Sequence, residues 1–104
     1  MNNHILVLVT TASKEESELI AAALVESRLA ACVNIFPISS IYRWQGQIQS
    51  DSEYQLFIKT DIQLFSDIEA KIKELHSYLV PEIIAIDIVA GSGSYLNWLG
   101  ESLR

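Results

Sequence analysis

The sequence predicts an α+β domain of the ferredoxin-like, split βαβ kind, in the order βαββαβ and then a C-terminal helix. Apolar residues recur with strand-like and helix-like spacing in that order, and 104 residues suffice for one core but hardly for two. With 50% apolar and 19% charged residues, the composition excludes intrinsic disorder. We therefore expect a single domain over residues 1–104, with both core helices on one sheet face.

The first strand and helix are predicted before residue 30. Residues 5–9 (ILVLV) form a β-branched apolar run, too short for a helix and typical of a buried strand. Ser13 and Glu16 stand three apart, as a helix N-cap and its reciprocal partner do. The helix is expected to run to about Leu29. Its predicted apolar face consists of Leu19, Ile20, Ala23 and Leu24.

A long hairpin is predicted next, with strands at 31–44 and 47–60 joined by a Gln45-Gly46 turn. Pro37 removes a ladder donor and so indicates a sheet edge or a bulge that interrupts the first strand. A strand of about 14 residues spans roughly 46 Å, whereas a compact domain of this size is about 34 Å across. We therefore expect the hairpin to bend at Pro37 and its tip to pair with another chain.

A helix, a strand and a further helix complete the chain. The helix is predicted at 62–76 and the strand at 83–89 (IIAIDIV). The last helix, 94–103, is short and amphipathic, and its Trp98 is interpreted as core packing. The apolar face of the first of these helices consists of Phe65, Ile68, Ile72 and Leu75. Its expected ion pairs are Asp67/Lys71 and Glu69/Lys73.

Charge and composition limit the classes of partner that the protein can bind and indicate its cellular compartment. Seven basic against 13 acidic residues give a net charge of −6, which disfavours nucleic acid. No apolar run approaches the roughly 20 residues of a membrane span. One cysteine, Cys32, cannot form an internal disulfide, and residues 1–4 (MNNH) lack a basic leader region. We therefore expect a cytoplasmic protein with neither a nucleic-acid nor a membrane partner.

The sequence contains no recognisable catalytic constellation. No serine or cysteine nucleophile stands with a base, and the Gly91-Ser92-Gly93 loop matches neither a P-loop nor a dinucleotide fingerprint. We therefore expect no enzyme and no catalytic residue.

Cys32 and His76 each have a structural and a metal-binding interpretation. Cys32 is the only soft ligand in the chain, but its apolar neighbours favour a small buried strand residue. His76, near the end of the second helix, can cap the last carbonyls or act as a ligand in a pocket with Tyr78 and Glu82.

Three strand residues are further candidates. Glu53 and Lys59 share a strand face about 20 Å apart, so each is either a solvated residue or a partner across a subunit interface. Trp44, beside the hairpin turn, is either an anchor of an oligomer or a ligand platform.

Two runs, Ala31-Cys32-Val33-Asn34 and Ile41-Tyr42-Arg43-Trp44-Gln45-Gly46, resemble the CutA family of divalent-cation tolerance proteins. The similarity continues through Glu53, Ile58-Lys59-Thr60, His76, Tyr78, Pro81-Glu82-Ile83, Tyr95-Leu96 and Trp98. The resemblance implies a ferredoxin-like subunit, a homotrimer built by strand pairing between subunits, and association with copper and other divalent metals. It also implies an architecture related to that of the trimeric PII signalling proteins.

The chain departs from this family at positions that matter for metal. Ser77 stands where the family often has proline. Thr10 and Leu75 stand where some bacterial members carry a cysteine and a second histidine. If metal binding depends on that pair, two of three ligands are missing here.

The resulting functional prediction is a homotrimer associated with divalent metal ions, copper or zinc. Candidate metal ligands are His76, Glu82 and Cys32, and binding is expected to be weak and to depend least on Cys32. Because the imidazole must be neutral, binding should fall below about pH 6.5. The residues expected at an intersubunit pocket are Trp44, Glu53, Lys59 and Tyr78. The alternative is a PII-like sensor that binds a small molecule or partner protein at intersubunit clefts.

Overall fold

Residues 3–104 are described by a computed structural model, and their elements follow the predicted order. Met1 and Asn2, on which the expected lack of a leader partly rests, lie outside the described residues. The elements are β1 (His4–Thr11), α1 (Lys14–Glu26), β2 (Cys32–Trp44), β3 (Gln47–Asp61), a 3₁₀ turn (Ile62–Leu64), α2 (Phe65–Leu75), β4 (Ile84–Asp87) and α3 (Gly93–Glu101).

The four strands form one antiparallel sheet in the order β2-β3-β1-β4. Alternate residues of the two inner strands point to the side that α1 and α2 cover, because side chains alternate along a strand. The core on that side consists mainly of Ile5, Val7, Val9, Ile20, Leu24, Leu56, Ile58, Ile68 and Ile72. The α+β class and the placement of both core helices on one face are thus confirmed.

The first helix differs from the prediction at both ends. Ser13 does cap it, accepting a hydrogen bond from the Glu16 N–H at 3.1 Å. The Glu16 carboxylate does not return to Ser13; it bonds to Ser77 instead. The helix ends at Glu26 rather than near residue 29, because Arg28 takes a left-handed conformation with φ of 62°.

The predicted apolar face of α1 is only partly correct. Ile20 and Leu24 are buried, but Leu19 is 57% exposed. Ser17 takes a buried position instead, with its hydroxyl bonded to the side chain of Thr11 at 2.5 Å. The spacing of apolar residues could not predict this position, because serine is polar and its burial depends on the hydrogen bond to Thr11.

The hairpin of β2 and β3 is continuous, so the predicted interruption at Pro37 is wrong, whereas the predicted sheet-edge position is confirmed. Register runs unbroken from Cys32 opposite Lys59 to Trp44 opposite Gln47. Pro37 is tolerated because β2 is an edge strand, where its missing N–H breaks no ladder bond inside the sheet. The long axis of the molecule measures 44 Å, which reflects the length of this hairpin.

The second half of the chain corrects three further details. The α-helix begins at Phe65 after the 3₁₀ turn, and Glu69–Lys73 pair at 3.1 Å as predicted. Lys71 pairs with Glu74 rather than with Asp67. Trp98 is 46% exposed and not part of the core; Leu99 is the buried residue of α3. Within residues 3–104, no helix has the length and apolar character needed to cross a membrane.

The hairpin turn is tight and left-handed. Gln45 and Gly46 have φ of 50° and 79°, the two positive values that a type I′ turn requires. This turn matches the twist of the flanking strands, so it sets the register of the entire hairpin.

We expect Gly46→Ala to destabilise the protein by about 1 kcal/mol, because an L side chain is strained at this positive φ. Gly93→Ala is the matched control. A Cβ at either glycine meets no atom within 4 Å, but Gly93 begins α3 without a positive φ. The control should be neutral or slightly stabilising. Urea unfolding of both variants measures the difference, and equal stabilities would contradict strain at the turn.

Candidate functional site

A cleft of about 970 Å³ lies at the hairpin end of the sheet. Ile38 lies opposite Glu53 in the sheet, and Thr10 lies opposite Gln55. Because side chains alternate along a strand, both pairs point to the face opposite α1 and α2. The segment after α2 completes the wall. The lining residues are Thr10, Ile38, Ser39, Ser40, Ile41, Tyr42, Trp44, Gln45, Glu53, Gln55, Ser77, Tyr78, Leu79, Val80 and Glu82.

A buried carboxylate occupies the inner part of this cleft. Glu53 is only 5% exposed, and its Oε2 accepts a hydrogen bond of 2.6 Å from the Tyr78 hydroxyl. Burial and then this hydrogen bond raise the pKa of Tyr78 well above its usual value. Tyr78 therefore remains a neutral donor to Glu53 throughout the physiological pH range.

His76 anchors the segment that carries Tyr78. Its side chain is fully buried, its Nε2–H donates to the Thr10 carbonyl at 2.7 Å, and its Nδ1 accepts from the Tyr78 N–H at 3.0 Å. These two bonds assign the proton to Nε2 and occupy both ring nitrogens. The imidazole therefore bonds to β1 rather than capping the carbonyls of α2.

Glu16 holds the same segment from α1. Its Oε2 accepts from the Ser77 N–H at 2.6 Å and its Oε1 from the Ser77 hydroxyl at 3.0 Å. The Oε2 atom also lies 3.8 Å from Nδ1 of His76. A proline at position 77 could make neither of these bonds, so the residue present in this chain matters to the site.

A second tyrosine–carboxylate pair lies nearer the hairpin tip. The Tyr42 hydroxyl donates to Oδ2 of Asp51, and this hydrogen bond is the main reason that the pKa of Tyr42 rises to about 12. Neither Tyr42 nor Asp51 was a sequence-predicted site residue. The predicted turn could have found them, because register from Gln45-Gly46 places Asp51 opposite Ser40, one alternation from Tyr42.

The structure brings five of the seven predicted site residues to one region and separates Cys32 and Lys59 from them. Trp44, Glu53, Tyr78 and Glu82 line the cleft, and His76 accepts a hydrogen bond from the Tyr78 N–H beside it. Cys32 and Lys59 pair with each other at the far end of β2 and β3, outside it. The Lys59 ammonium lies instead 5.6 Å from the centre of the Tyr95 ring.

The three candidate metal ligands do not meet within one chain. Cys32 is half-buried on the face opposite the helices rather than in the core, and its thiol is 4.0 Å from Oδ1 of Asn34. His76 is engaged by Thr10 and Tyr78. Across the described part of the chain, no three His, Cys, Asp or Glu side chains are grouped to hold a metal ion.

Comparison with known proteins gives one consistent family. The model of the family described as CutA1 divalent ion tolerance protein matches residues 5–102. The divalent-cation tolerance protein CutA of Thermus thermophilus is 50% identical over 98 residues, covering 93% of this chain and 95% of the relative. The solved structure of periplasmic CutA from Archaeoglobus fulgidus superposes with a TM-score of 0.95 at 40% identity, covering 97% and 99% of the two chains.

The expectation of a simply cytoplasmic location is wrong for this family. The Archaeoglobus fulgidus relative is described as periplasmic. A chloroplastic CutA of Arabidopsis thaliana is 46% identical over 101 residues, which cover 96% of this chain and 56% of the relative. Because related domains occur in the periplasm and in chloroplasts, a single cysteine and the composition of the N-terminus do not determine the compartment of this protein.

We expect Tyr78→Phe to destabilise the protein by about 1–3 kcal/mol, because the buried Glu53 carboxylate loses its hydrogen bond. Glu53→Gln and the double variant complete a mutant cycle, which should show coupling between the two side chains. Additive effects in urea unfolding would contradict the coupling.

Ionisation of Tyr78 should make the stability of the folded protein depend on pH. Because the folded pKa of Tyr78 lies above the unfolded value of 10, its stabilising effect is fully present below pH 10 and is lost as pH rises through the folded pKa. Between pH 9 and about pH 11 the wild-type protein should therefore lose more stability than Tyr78→Phe. Parallel losses in the two proteins would contradict this assignment.

Proposed function

Because the chain belongs to the CutA1 divalent ion tolerance family, we propose that it contributes to divalent-cation tolerance as a homotrimer that holds copper or zinc ions weakly at cleft carboxylates. The charge of the cleft carries this proposal. Glu53 and Glu82 line it, and no lysine or arginine of residues 3–104 does. The acidic balance of the chain, −6 overall, adds to the attraction for cations.

The donor set supports weak, exchangeable binding. Glu82 is exposed, so it can coordinate an ion without rearrangement of the core. His76 becomes a ligand only if its bond to Thr10 or to Tyr78 opens. Carboxylate oxygens with at most one imidazole suit Zn²⁺ or Cu(II) better than Cu(I). In this proposal His76 serves mainly to hold the segment that carries Glu82.

Two features of the isolated chain support the proposed trimer. Both sheet edges, β2 and β4, are open to pairing with another chain. The exposed hairpin tip carries apolar residues that no part of the described chain covers: Ile41 is 78% exposed and Ile48 is 65% exposed. Head-to-tail pairing of edges in a closed ring buries such residues and is consistent with cyclic symmetry.

The size of the cleft favours a second candidate, a sensor that binds a small molecule in the manner of the PII proteins. A volume of about 970 Å³ is at the upper end of the range for small-molecule sites and far exceeds what one metal ion needs. In this alternative the metal ions are secondary, and the organic ligand is the signal.

We expect sedimentation equilibrium at micromolar concentration to give three times the 11.6 kDa chain mass. Ile41→Asp should shift the protein toward smaller species, because it introduces an unpaired charge at the proposed interface. Leu19→Asp, at an exposed apolar residue of α1, is the matched control and should remain trimeric. A monomeric wild-type protein would contradict the proposed assembly.

Calorimetric titration with Zn²⁺ and Cu(II) tests the ion site. Glu82→Gln should weaken binding about tenfold, which corresponds to about 1.4 kcal/mol. Cys32→Ser should leave the affinity within about twofold, because Cys32 lies outside the cleft. If Cys32→Ser abolishes binding and Glu82→Gln does not, the ions bind at the thiol and the carboxylate assignment is wrong.

A further inference from the structure

We propose that the cleft binds an organic ammonium ion, held between the Glu53 carboxylate and the aromatic rings of Tyr42 and Tyr78. All three residues line the same cleft of about 970 Å³. The inference deepens the proposed sensor function by naming the class of ligand. It uses the aromatic residues of the cleft, which binding of a divalent ion does not require.

The Glu53 carboxylate supplies the polar contact. It is 5% exposed, and only its Oε2 has a hydrogen-bond partner among residues 3–104, namely Tyr78. Its Oε1 therefore remains able to accept a hydrogen bond from a ligand in the cleft. A ligand with a positive charge satisfies this oxygen and balances its charge.

The aromatic rings supply the second contact. A cation within about 6 Å of a ring face is attracted by the ring quadrupole. The hydroxyls of Tyr42 and Tyr78 donate to Asp51 and Glu53, so both phenols are held neutral and their orientation is fixed. An aromatic wall beside a buried carboxylate is the arrangement that recognises alkylated ammonium groups.

The remaining lining residues favour an organic cation over other organic ligands. An anionic ligand such as a nucleotide would find no lysine or arginine among the described residues that line the cleft and would face Glu53 and Glu82. A bare divalent ion would not use the apolar part of the wall, formed by Ile38, Leu79 and Val80. A ligand that combines one positive charge with a small apolar body matches both parts.

The test uses the purified wild-type protein and a pair of nearly isosteric probes, choline and its neutral analogue 3,3-dimethyl-1-butanol. Two-dimensional NMR titration should show that choline binds at least about fivefold more tightly than the analogue, with shifts at cleft residues. Inorganic pyrophosphate should not bind the cleft. Equal affinity for choline and the analogue, or no choline binding at 20 mM (about 2.3 kcal/mol or weaker), would overturn the proposal.

Three variants locate the site. Glu53→Gln and Tyr42→Leu should each weaken choline binding about tenfold. Tyr95→Leu is the matched control, because Tyr95 is an exposed tyrosine of α3 outside the cleft, and it should bind choline like the wild-type protein. Should Tyr42→Leu alter folding or assembly, the isosteric Glu53→Gln and the probe pair on the wild-type protein still decide the question. Wild-type affinity in Glu53→Gln, or an equal loss in Tyr95→Leu, would overturn it.

A zinc titration of Tyr42→Leu separates this inference from the proposed ion binding. The variant should lose choline and keep zinc. A protein that binds choline but no zinc would overturn the metal proposal alone, and one that binds zinc but no choline would overturn this inference alone.

Discussion

Register in the β2–β3 hairpin is the constraint on which the rest of the molecule depends. The type I′ turn at Gln45-Gly46 fixes which residues oppose one another from Cys32–Lys59 to Trp44–Gln47. Since side chains alternate, the same register decides which residues enter the core and which line the cleft. Leu56 and Ile58 face the helices, while Glu53 and Gln55 face the cleft. A slip of one residue would exchange the two sets.

A chain of polar contacts then attaches the segment after α2 to this sheet. The Thr10 carbonyl accepts from His76, His76 accepts from the Tyr78 N–H, and the Tyr78 hydroxyl donates to Glu53. The first and last of these bonds join β1 and β3 to a segment without regular structure, and the middle bond lies within that segment. The histidine that chemistry first suggests as a metal ligand thus has a structural role that uses both of its nitrogens.

Much of the fold could be read from the sequence, and the reasons are local. The spacing of apolar residues predicted the strands and helices. Ser13 predicted the start of α1, and Gln45-Gly46 predicted the hairpin turn. The errors arose where long-range partners override local pattern. Glu16 bonds to Ser77 across 61 positions rather than to its own helix, and Trp98 lies on the surface although its periodicity is that of a buried face. Pro37 left the ladder intact because β2 lies at an edge, which only the strand order reveals.

The candidate site was predictable to a smaller extent. Trp44, Glu53, Tyr78 and Glu82 were identified individually, and the structure shows that they share one cleft. Tyr42 and Asp51 required the register and were missed. Lys59 shares the sheet face of Glu53, but strand length separates them, and a shared face does not make a shared site.

The Glu16–Ser77 contact has a consequence for how this sequence can diverge. The Ser77 N–H and hydroxyl are both donors to one carboxylate, so residue 16 has a reason to remain acidic only while residue 77 can donate. Once proline occupies position 77, the loop is stiffened by its ring and the carboxylate retains only the neighbouring imidazole. Substitutions at positions 16 and 77 are therefore expected to be correlated. The loop is held in place either by hydrogen bonds between Glu16 and Ser77 or by the rigid ring of a proline at position 77.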